Sequence, residues 1–468
     1  MPTFATLMSF APPSLALSVS SLICTAPMQP PPESGPPITS IPSEILCYIF
    51  TLVPVSPRTD SSPIPVVGPR GSRVLSGPWI FGQVCSQWRA LALAFPALWT
   101  PLTIFATTLT AREYNLLHVQ LERTREAPLD LHIRFAYYSG KEFDTLLHDL
   151  VNHSQRWRSL HFEADGSRAF QSEAFSTLGP DSLPLLQELV FGGTRADTLT
   201  KYDFFKDAPA LRRVVLGAQG GAQVWPIVLP WAQLTVYKAT YPQPAKHFHI
   251  LALASNLVEC DIDGGYSQRD DISHVLCTLP KLRRLAISKP SLLRQLRAPA
   301  LQSLYSVGPV EDVLAFLDSS GSVSTLRELT LSECRVPTHE LLDLFGRTHG
   351  LIKLAVDPVS PLAFNKTMLS AFMAPDCLCK NLGSISVTDF KDELDRHAFA
   401  DMIASRCQNL PGIRRPYFVG VYSGRVRMKT AGHRIRELGM EVELMTSRLG
   451  KQAVRDWRGY SNVTRERS

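Results

Sequence analysis

Cys377-Leu378-Cys379 and His247-Phe248-His249 are the nearest approaches to metal ligands in this chain. A structural zinc site takes four ligands, usually from two closely spaced pairs. Neither pair has Cys-x-x-Cys spacing or a second pair at a helpful distance, so no metal and no cofactor is expected. The phosphate-cradling Gly-x-x-x-x-Gly-Lys-Ser/Thr loop, the Gly-x-Ser-x-Gly elbow and the His-Glu-x-x-His zinc motif are all absent. The sequence therefore predicts no catalytic residues and a protein that is not an enzyme. Its polar chemistry lies in single charged or aromatic residues set between apolar ones: Glu188, Arg213, Glu259, Arg284, Tyr305, Glu328 and Lys353. Such side chains form ion pairs and hydrogen bonds with another macromolecule.

These residues sit in a recurring frame of an apolar residue, two variable ones, an apolar, a variable and an apolar. Examples are Trp157-Arg-Ser-Leu160-His-Phe162, Leu186-Gln-Glu-Leu189-Val-Phe191, Leu211-Arg-Arg-Val214-Val-Leu216 and Trp231-Ala-Gln-Leu234-Thr-Val236. The series continues from Leu257, Leu282, Leu301, Leu326, Leu351 and Leu382, with steps of 29, 25, 20, 26, 25, 19, 25, 25 and 31 residues. A period near 25 falls in the leucine-rich-repeat range. Only Leu326 to Cys334 completes the longer Leu-x-x-Leu-x-Leu-x-x-Cys pattern, and the unit at Leu301 slips, with Ser306 where an apolar residue belongs. Leu129-Asp-Leu131-His-Ile133 alternates and predicts a strand that begins the stack.

Between the strand frames, Val310 to Leu317 and Glu340 to Phe345 have helical spacing. Strand then helix at this period predicts an α/β fold over residues 127–420, a leucine-rich-repeat-like solenoid with parallel strands lining a curved sheet and helices outside. An irregular helical array is the alternative. In the solenoid the residues between the apolar positions face the concave side: the seven named above with Gln233, Asp261 and Thr330. Their mixture of signs suits a protein target, with the ordinary solvated face of a sheet as the plainer alternative.

Upstream, residues 39–105 form a separate block. Ile41-Pro42-Ser-Glu44-Ile45-Leu46-Cys-Tyr-Ile49-Phe50 predicts a helix with proline at its first turn and an acid positioned for the free amides. Pro54 ends it. A Pro/Gly/Ser-rich stretch, 54–78, predicts a flexible insertion. Val84, Trp88, Leu91 and Phe95 then resume at helical spacing, and Pro96-Ala-Leu98-Trp99 closes the block.

Those two segments, in that order, resemble the F-box, and the trailing Phe-Pro-Ala-Leu-Trp is similar to the version abundant in mushroom-forming fungi. The resemblance covers about 65 residues; Ile41 stands where the family usually has Leu. It implies a small all-helical domain that docks a Skp-type adaptor and, through it, a cullin ligase. The adaptor-binding residues it points to are Ile41, Pro42, Ile45, Leu46, Ile49, Val84, Cys85 and Trp88, partly core and partly interface. It implies a non-catalytic substrate-recognition subunit of an SCF-type ubiquitin ligase, with the target held by the repeats. A helical cap on a solenoid is the alternative for the block; a protein-binding scaffold outside any ligase is the alternative for the whole.

With 468 residues, 45% hydrophobic and 19% charged, the composition is that of a folded protein. The net charge of +6 is equalled by the excess from Arg425 to Ser468, where eleven Lys/Arg face five Asp/Glu. The body is thus balanced, which argues against nucleic acid as a partner. The basic segment 421–468 mixes charges at helical spacing from His433 to Leu444 and predicts a capping or solvated terminus, with an acidic partner or a nuclear-import receptor as its alternative. Nine scattered cysteines point to a reducing compartment, cytoplasmic or nuclear. Residues 1–38 predict a disordered Pro/Ser-rich tail; the first 26 lack the positive region of a signal peptide. A secreted repeat receptor would need that tail cleaved and the cysteines paired. No apolar run reaches membrane-span length.

Overall fold

The computed structural model describes residues 41–52, 66–67, 73–74, 77–106, 111–135, 141–164, 172–193, 202–218, 227–240, 244–263, 276–332, 336–357, 365–373, 375, 377–389, 395–409, 417–422 and 442–446. The tail 1–38 and most of the basic segment lie outside them. The chain forms two compact units, Met1–Leu46 and Cys47–Ser468.

Helix α1 (Ser43–Leu52) crosses that boundary. It starts where Leu46 donates its backbone N–H to the Pro42 carbonyl at 3.0 Å, with Glu44 in the first turn. The insertion that follows is not wholly irregular. Strands β1 (Val66–Val67) and β2 (Arg73–Val74) pair antiparallel, so the segment 39–105 is not all-helical as expected.

Helices α2 (Phe81–Val84) and α3 (Ser86–Ala94) replace the single helix that the spacing of Val84, Trp88, Leu91 and Phe95 predicts. Cys85 causes the break: its backbone is extended (φ −157°, ψ 173°), and its Sγ accepts the Trp88 N–H at 3.4 Å as an N-terminal cap. Phe50 stacks on Phe81 at 4.1 Å, and Trp88 tilts against Phe50 at 4.8 Å. A short 3-10 turn, Pro96–Leu98, leads to buried Trp99, whose indole N–H reaches the Ala92 carbonyl at 2.7 Å.

The remaining elements follow in order. They are β3 (Pro101–Ala106), α4 (Ala111–Thr124), β4 (Leu129–Phe135), α5 (Lys141–Val151), β5 (Trp157–Ala164), α6 (Glu173–Ser176) and β6 (Glu188–Gly193). Next come β7 (Arg213–Ala218), β8 (Val236–Thr240), α7 (Pro244–Leu253), β9 (Glu259–Asp263), β10 (Cys277–Thr278), β11 (Arg284–Ile287) and β12 (Leu296–Arg297). The last are β13 (Ser303–Val307), α8 (Val310–Ser320), β14 (Glu328–Ser332), α9 (Thr338–Arg347), β15 (Lys353–Asp357), α10 (Lys366–Ala371), β16 (Ser384–Asp389), α11 (Arg396–Asn409), β17 (Tyr417–Tyr422) and β18 (Val442–Thr446).

Among the described residues, fourteen strands make one parallel sheet whose spatial order is the sequence order, from β3 to β18. The short β10 and β12 stand apart as a separate parallel pair. Parallel neighbours need crossover connections, and helices α4 to α11 lie in them. Helix α8 ends cleanly because Gly321 takes a left-handed conformation (φ +65°) that other residues avoid. The fold is α/β, and the sheet is open, with β3 and β18 at its edges.

Two inward rows run across the strands in register. One passes through Leu160, Leu189, Val214, Tyr237, Cys260, Leu285, Leu304, Leu329 and Leu354; the other through Phe162, Phe191, Leu216, Ala239, Ile262, Ile287, Ser306, Leu331 and Val356. All are buried and, Ser306 apart, share one core with the apolar faces of the helices. Each buried aliphatic side chain contributes about 1.5–3 kcal/mol. From Gln187 through Ile352 a single carbonyl before each strand accepts the N–H groups of two successive residues of the next strand, as Gln187 does from Arg212 and Arg213. That repeating bond fixes a common register.

The register corrects several expectations. At β8 the frame is Leu234-x-x-Tyr237-x-Ala239, three residues on from the one expected at Trp231, since Val214 pairs with Tyr237 and Leu216 with Ala239. Gln233 consequently lies in a 3-10 turn, not on a strand. Ser306 does not slip; it occupies the inward position between Ile287 and Leu331 and is buried. The sheet also extends on both sides of 127–420, from Pro101 to Thr446. Val442–Thr446, expected within a helically spaced segment, is a strand beside β17.

Candidate functional site

The sheet face away from the helices carries the polar residues. On strands β4 to β7, Asp130 is held by a two-pronged bond from Arg158 and by the Ser159 hydroxyl at 3.1 Å. Glu163 lies 3.3 Å from Arg134 and 3.9 Å from His132. Glu188 accepts from Arg213 Nε at 2.8 Å and lies 3.7 Å from His161. Farther along, Glu259 meets buried Lys238 at 2.7 Å and Arg284 at 3.8 Å, while Lys353 reaches Glu328 at 2.6 Å.

Every one of these pairs joins neighbouring strands, because in-register parallel strands set equivalent residues side by side. One outward row reads Glu188, Arg213, Val236, Glu259, Arg284, Ser303, Glu328, Lys353, Ser384 from β6 to β16. Acid, base and neutral alternate with a period of three strands.

The pairing sets the ionisation of the acids. The His132 imidazole beside it holds the Glu163 carboxyl below the usual carboxylate range, and His161 does the same for Glu188. Burial pushes Glu259 upward, but the Lys238 bond and the Lys238 and Arg284 charges outweigh it and leave it lowered.

The seven sequence-designated residues fall into two hollows of this face. Glu188 and Arg213, with Asp130, Arg158, Ser159, Gln187, Ala210 and Arg212, line one of about 750 Å³. Glu259, Arg284, Tyr305, Glu328 and Lys353 line a second, of about 180 Å³, with Asp261 and Thr330 among their neighbours. Asp261 and Thr330 do lie on the outward side, yet both are buried, 3% and 4% exposed, so they are floor rather than contact surface. Sequence reasoning missed Asp130, Arg158, His132, His161, Glu163 and Lys238. The alternation Leu129-Asp-Leu131-His-Ile133-Arg134 already assigned three outward residues, and the same rule on β5 yields His161 and Glu163.

The residues carrying the F-box resemblance are resolved into core and surface. In the unit Met1–Leu46, Leu46 is 1% exposed and belongs to the interior rather than to a contact surface, while Pro42 and Ile45 are exposed and Ile41 half-buried. In the unit Cys47–Ser468, Phe50 and Phe81 are buried, Cys85 and Trp88 half-buried, and Tyr48, Ile49, Leu52 and Val84 exposed at 62%, 38%, 60% and 54%. Trp88 therefore packs mainly within its own helices, and Cys85 serves as a cap.

The candidate metal ligands have ordinary partners. Buried Cys379 directs its thiol to the Phe345 and Thr348 carbonyls at 3.5 and 3.6 Å, and buried His247 shares a 3.3 Å bond with the Tyr237 hydroxyl; His249 is exposed. Among the described residues no cluster of three or more His, Cys, Asp or Glu is arranged to hold a metal, and no helix is long and apolar enough to cross a membrane. No family model matches this chain, and no curated protein matches it.

Proposed function

We propose that this chain is a non-catalytic substrate-recognition subunit of an SCF-type ubiquitin ligase, docking a Skp-type adaptor with its F-box-like helices and a target protein with the sheet. The observation that carries the proposal is the apolar surface of the helical segment. Tyr48, Ile49, Leu52 and Val84 stay exposed although Phe50 and Phe81 beside them in sequence are buried. Helices this short bury apolar residues when they have room to, and large apolar side chains left in water fit a surface completed by a partner. The order of the two sequence blocks around residues 41–99 supports the adaptor as that partner.

The sheet region is read as a leucine-rich-repeat-like solenoid on its period near 25 residues, its strictly sequential parallel strands and its repeated carbonyl bond. Its outward face, with seven designated residues in two hollows, is the proposed target surface. The chain contributes proximity: holding a target beside a ubiquitin-charged enzyme raises effective concentration without a catalytic side chain. Residence in the cytoplasm or nucleus follows from the ligase role.

The test is co-purification of the intact chain with a Skp-type adaptor and its cullin. Stoichiometric recovery supports the reading. A folded chain that recovers no adaptor is a binding scaffold outside any ligase.

A further inference from the structure

The two hollows of the sheet face differ in charge. The second is lined by Glu259, Asp261 and Glu328 against Arg284 and Lys353, an excess of one acid. The first is lined by Asp130 and Glu188 against Arg158, Arg212 and Arg213, an excess of one base. Two of its guanidinium groups are committed: Arg158 grips Asp130 with both prongs and Arg213 binds Glu188. Arg212 is the surplus. It is exposed, and it spends one nitrogen on the Pro209 and Leu211 carbonyls at 2.9 Å each. No carboxylate lies within ion-pair reach of it among the described residues.

Resting on the proposal that this face holds the target, we infer that the hollow of β4 to β7 takes an acidic segment of the target, with Arg212 as the anchor for its carboxylates. A guanidinium with its remaining N–H groups unspent presents a planar donor set matched to a carboxylate or phosphate oxygen pair. The Asp130–Arg158 and Glu188–Arg213 pairs flank it and fix the walls. With about 750 Å³ of open volume, the hollow admits several side chains of a peptide. A basic segment would meet an uncompensated cation in the same place. The second hollow, with its opposite excess and about 180 Å³, offers neither the charge nor the space.

The experiment titrates the full chain with a fluorescein-labelled octaglutamate peptide at about 50 mM salt, reading anisotropy, with octalysine in parallel. Because the basic stretch after Arg425 also attracts acids, the decisive arm is internal. Arg283 holds the position of Arg212, just before the outward row, but on the strand β11 side, and is also exposed. Arg212→Gln should weaken octaglutamate binding about fivefold and Arg212→Glu about tenfold or more, while Arg283→Glu changes it less than twofold. The wild-type affinity should fall about tenfold when salt is raised to 0.3 M, as charge-led binding does. A version of the peptide carrying phosphoserines identifies the preferred anion: tighter, Arg212-dependent binding assigns phosphate, and equal binding assigns carboxylate, both within the proposal.

Equal losses for Arg212→Glu and Arg283→Glu overturn it, since binding then follows net charge alone. So does octalysine binding as tightly as octaglutamate. Thermal melts of each variant, expected unchanged, exclude misfolding, and Arg212→Gln provides the milder substitution should the charge reversal perturb the loop. No adaptor enters this titration, so its failure leaves adaptor docking untouched, and failure of adaptor docking leaves this result standing.

Discussion

The helical segment and the sheet handle apolar surface in opposite ways. In the sheet both inward rows are buried from Leu160 to Val356, and the outward row from Glu188 to Lys353 pairs its charges across neighbouring strands. In the helical segment Leu46, Phe50, Phe81, Ala92, Leu98 and Trp99 are buried, but Tyr48, Ile49, Leu52 and Val84 face water. A self-satisfied region needs nothing else to be stable; a region with apolar residues left over is built for company. The difference teaches that only the helical segment leaves several large apolar side chains of neighbouring sequence in water.

The two regions are also welded together. Arg123 of α4 lies over both Trp79 and Trp99, 4.5 and 4.4 Å from their ring centroids, and Gln120 donates to the Trp99 and Pro101 carbonyls at 3.2 and 3.3 Å. Burial lowers the Arg123 pKa, as expected of a guanidinium held against apolar rings.

Leu329→Ala should have the largest effect on the sheet, a loss of about 2–5 kcal/mol seen as a shifted denaturant midpoint, because Leu329 is fully buried in the inward row. A loss below about 1 kcal/mol would contradict the register given for β14. Arg123→Ala should cost about 1–2 kcal/mol from two cation–π contacts. Its thermal melt should separate into two steps as the weld fails; a single unshifted transition would show that the helices are held by other contacts.

The paired acids predict a pH signature confined to the sheet. Glu163, Glu188 and Glu259 have folded pKa values below their unfolded ones. Their contribution is therefore fully present above the unfolded carboxylate value, near 4.3 in model peptides, and is lost as pH falls through the lower folded value. Melts from pH 7 down to 3 should show sheet stability dropping below about pH 4.5, and Glu163→Gln with Glu188→Gln should flatten that drop. Unchanged curves in the double variant would remove these pairs from the account. The smallest effect belongs to Glu328→Arg, which exchanges one exposed pair with Lys353 for a repulsion and should cost less than about 1 kcal/mol.

The period of the sheet was legible because burial demands apolar residues at fixed spacing, and α8 and α9 showed their helical faces in the same way. The slip at β8 has a specific cause. Leu234 can serve as either the first or the middle apolar residue of a frame, and Tyr237 and Ala239 look less like core than Leu234 and Val236 do. Only pairing with Val214 and Leu216 decides it. Strand β3 carries the whole frame, Trp99-x-x-Leu102-x-Ile104, and escaped notice because Trp99 also closes the helical block, while β18 has Gly439 where the frame before Val442 and Leu444 has its leading apolar residue. The charge pairs were illegible for a different reason. Arg213 and Glu188, or Lys353 and Glu328, stand 25 residues apart in sequence and become neighbours only through register. In the helical segment, type alone could not separate Leu46 from Ile45 or Ile49; burial does.

The central claim is that the exposed apolar residues of the helical segment dock an adaptor, and it is tested most directly by calorimetric titration of a purified Skp-type adaptor into the intact chain and into its Ile49→Asp/Val84→Asp double variant. Both residues are exposed, so the variant should melt with the wild type. The account predicts submicromolar binding to the wild type and at least a hundredfold loss in the variant, the scale of central interface residues. Equal affinities for the two proteins, or no heat with a folded wild type, would contradict it.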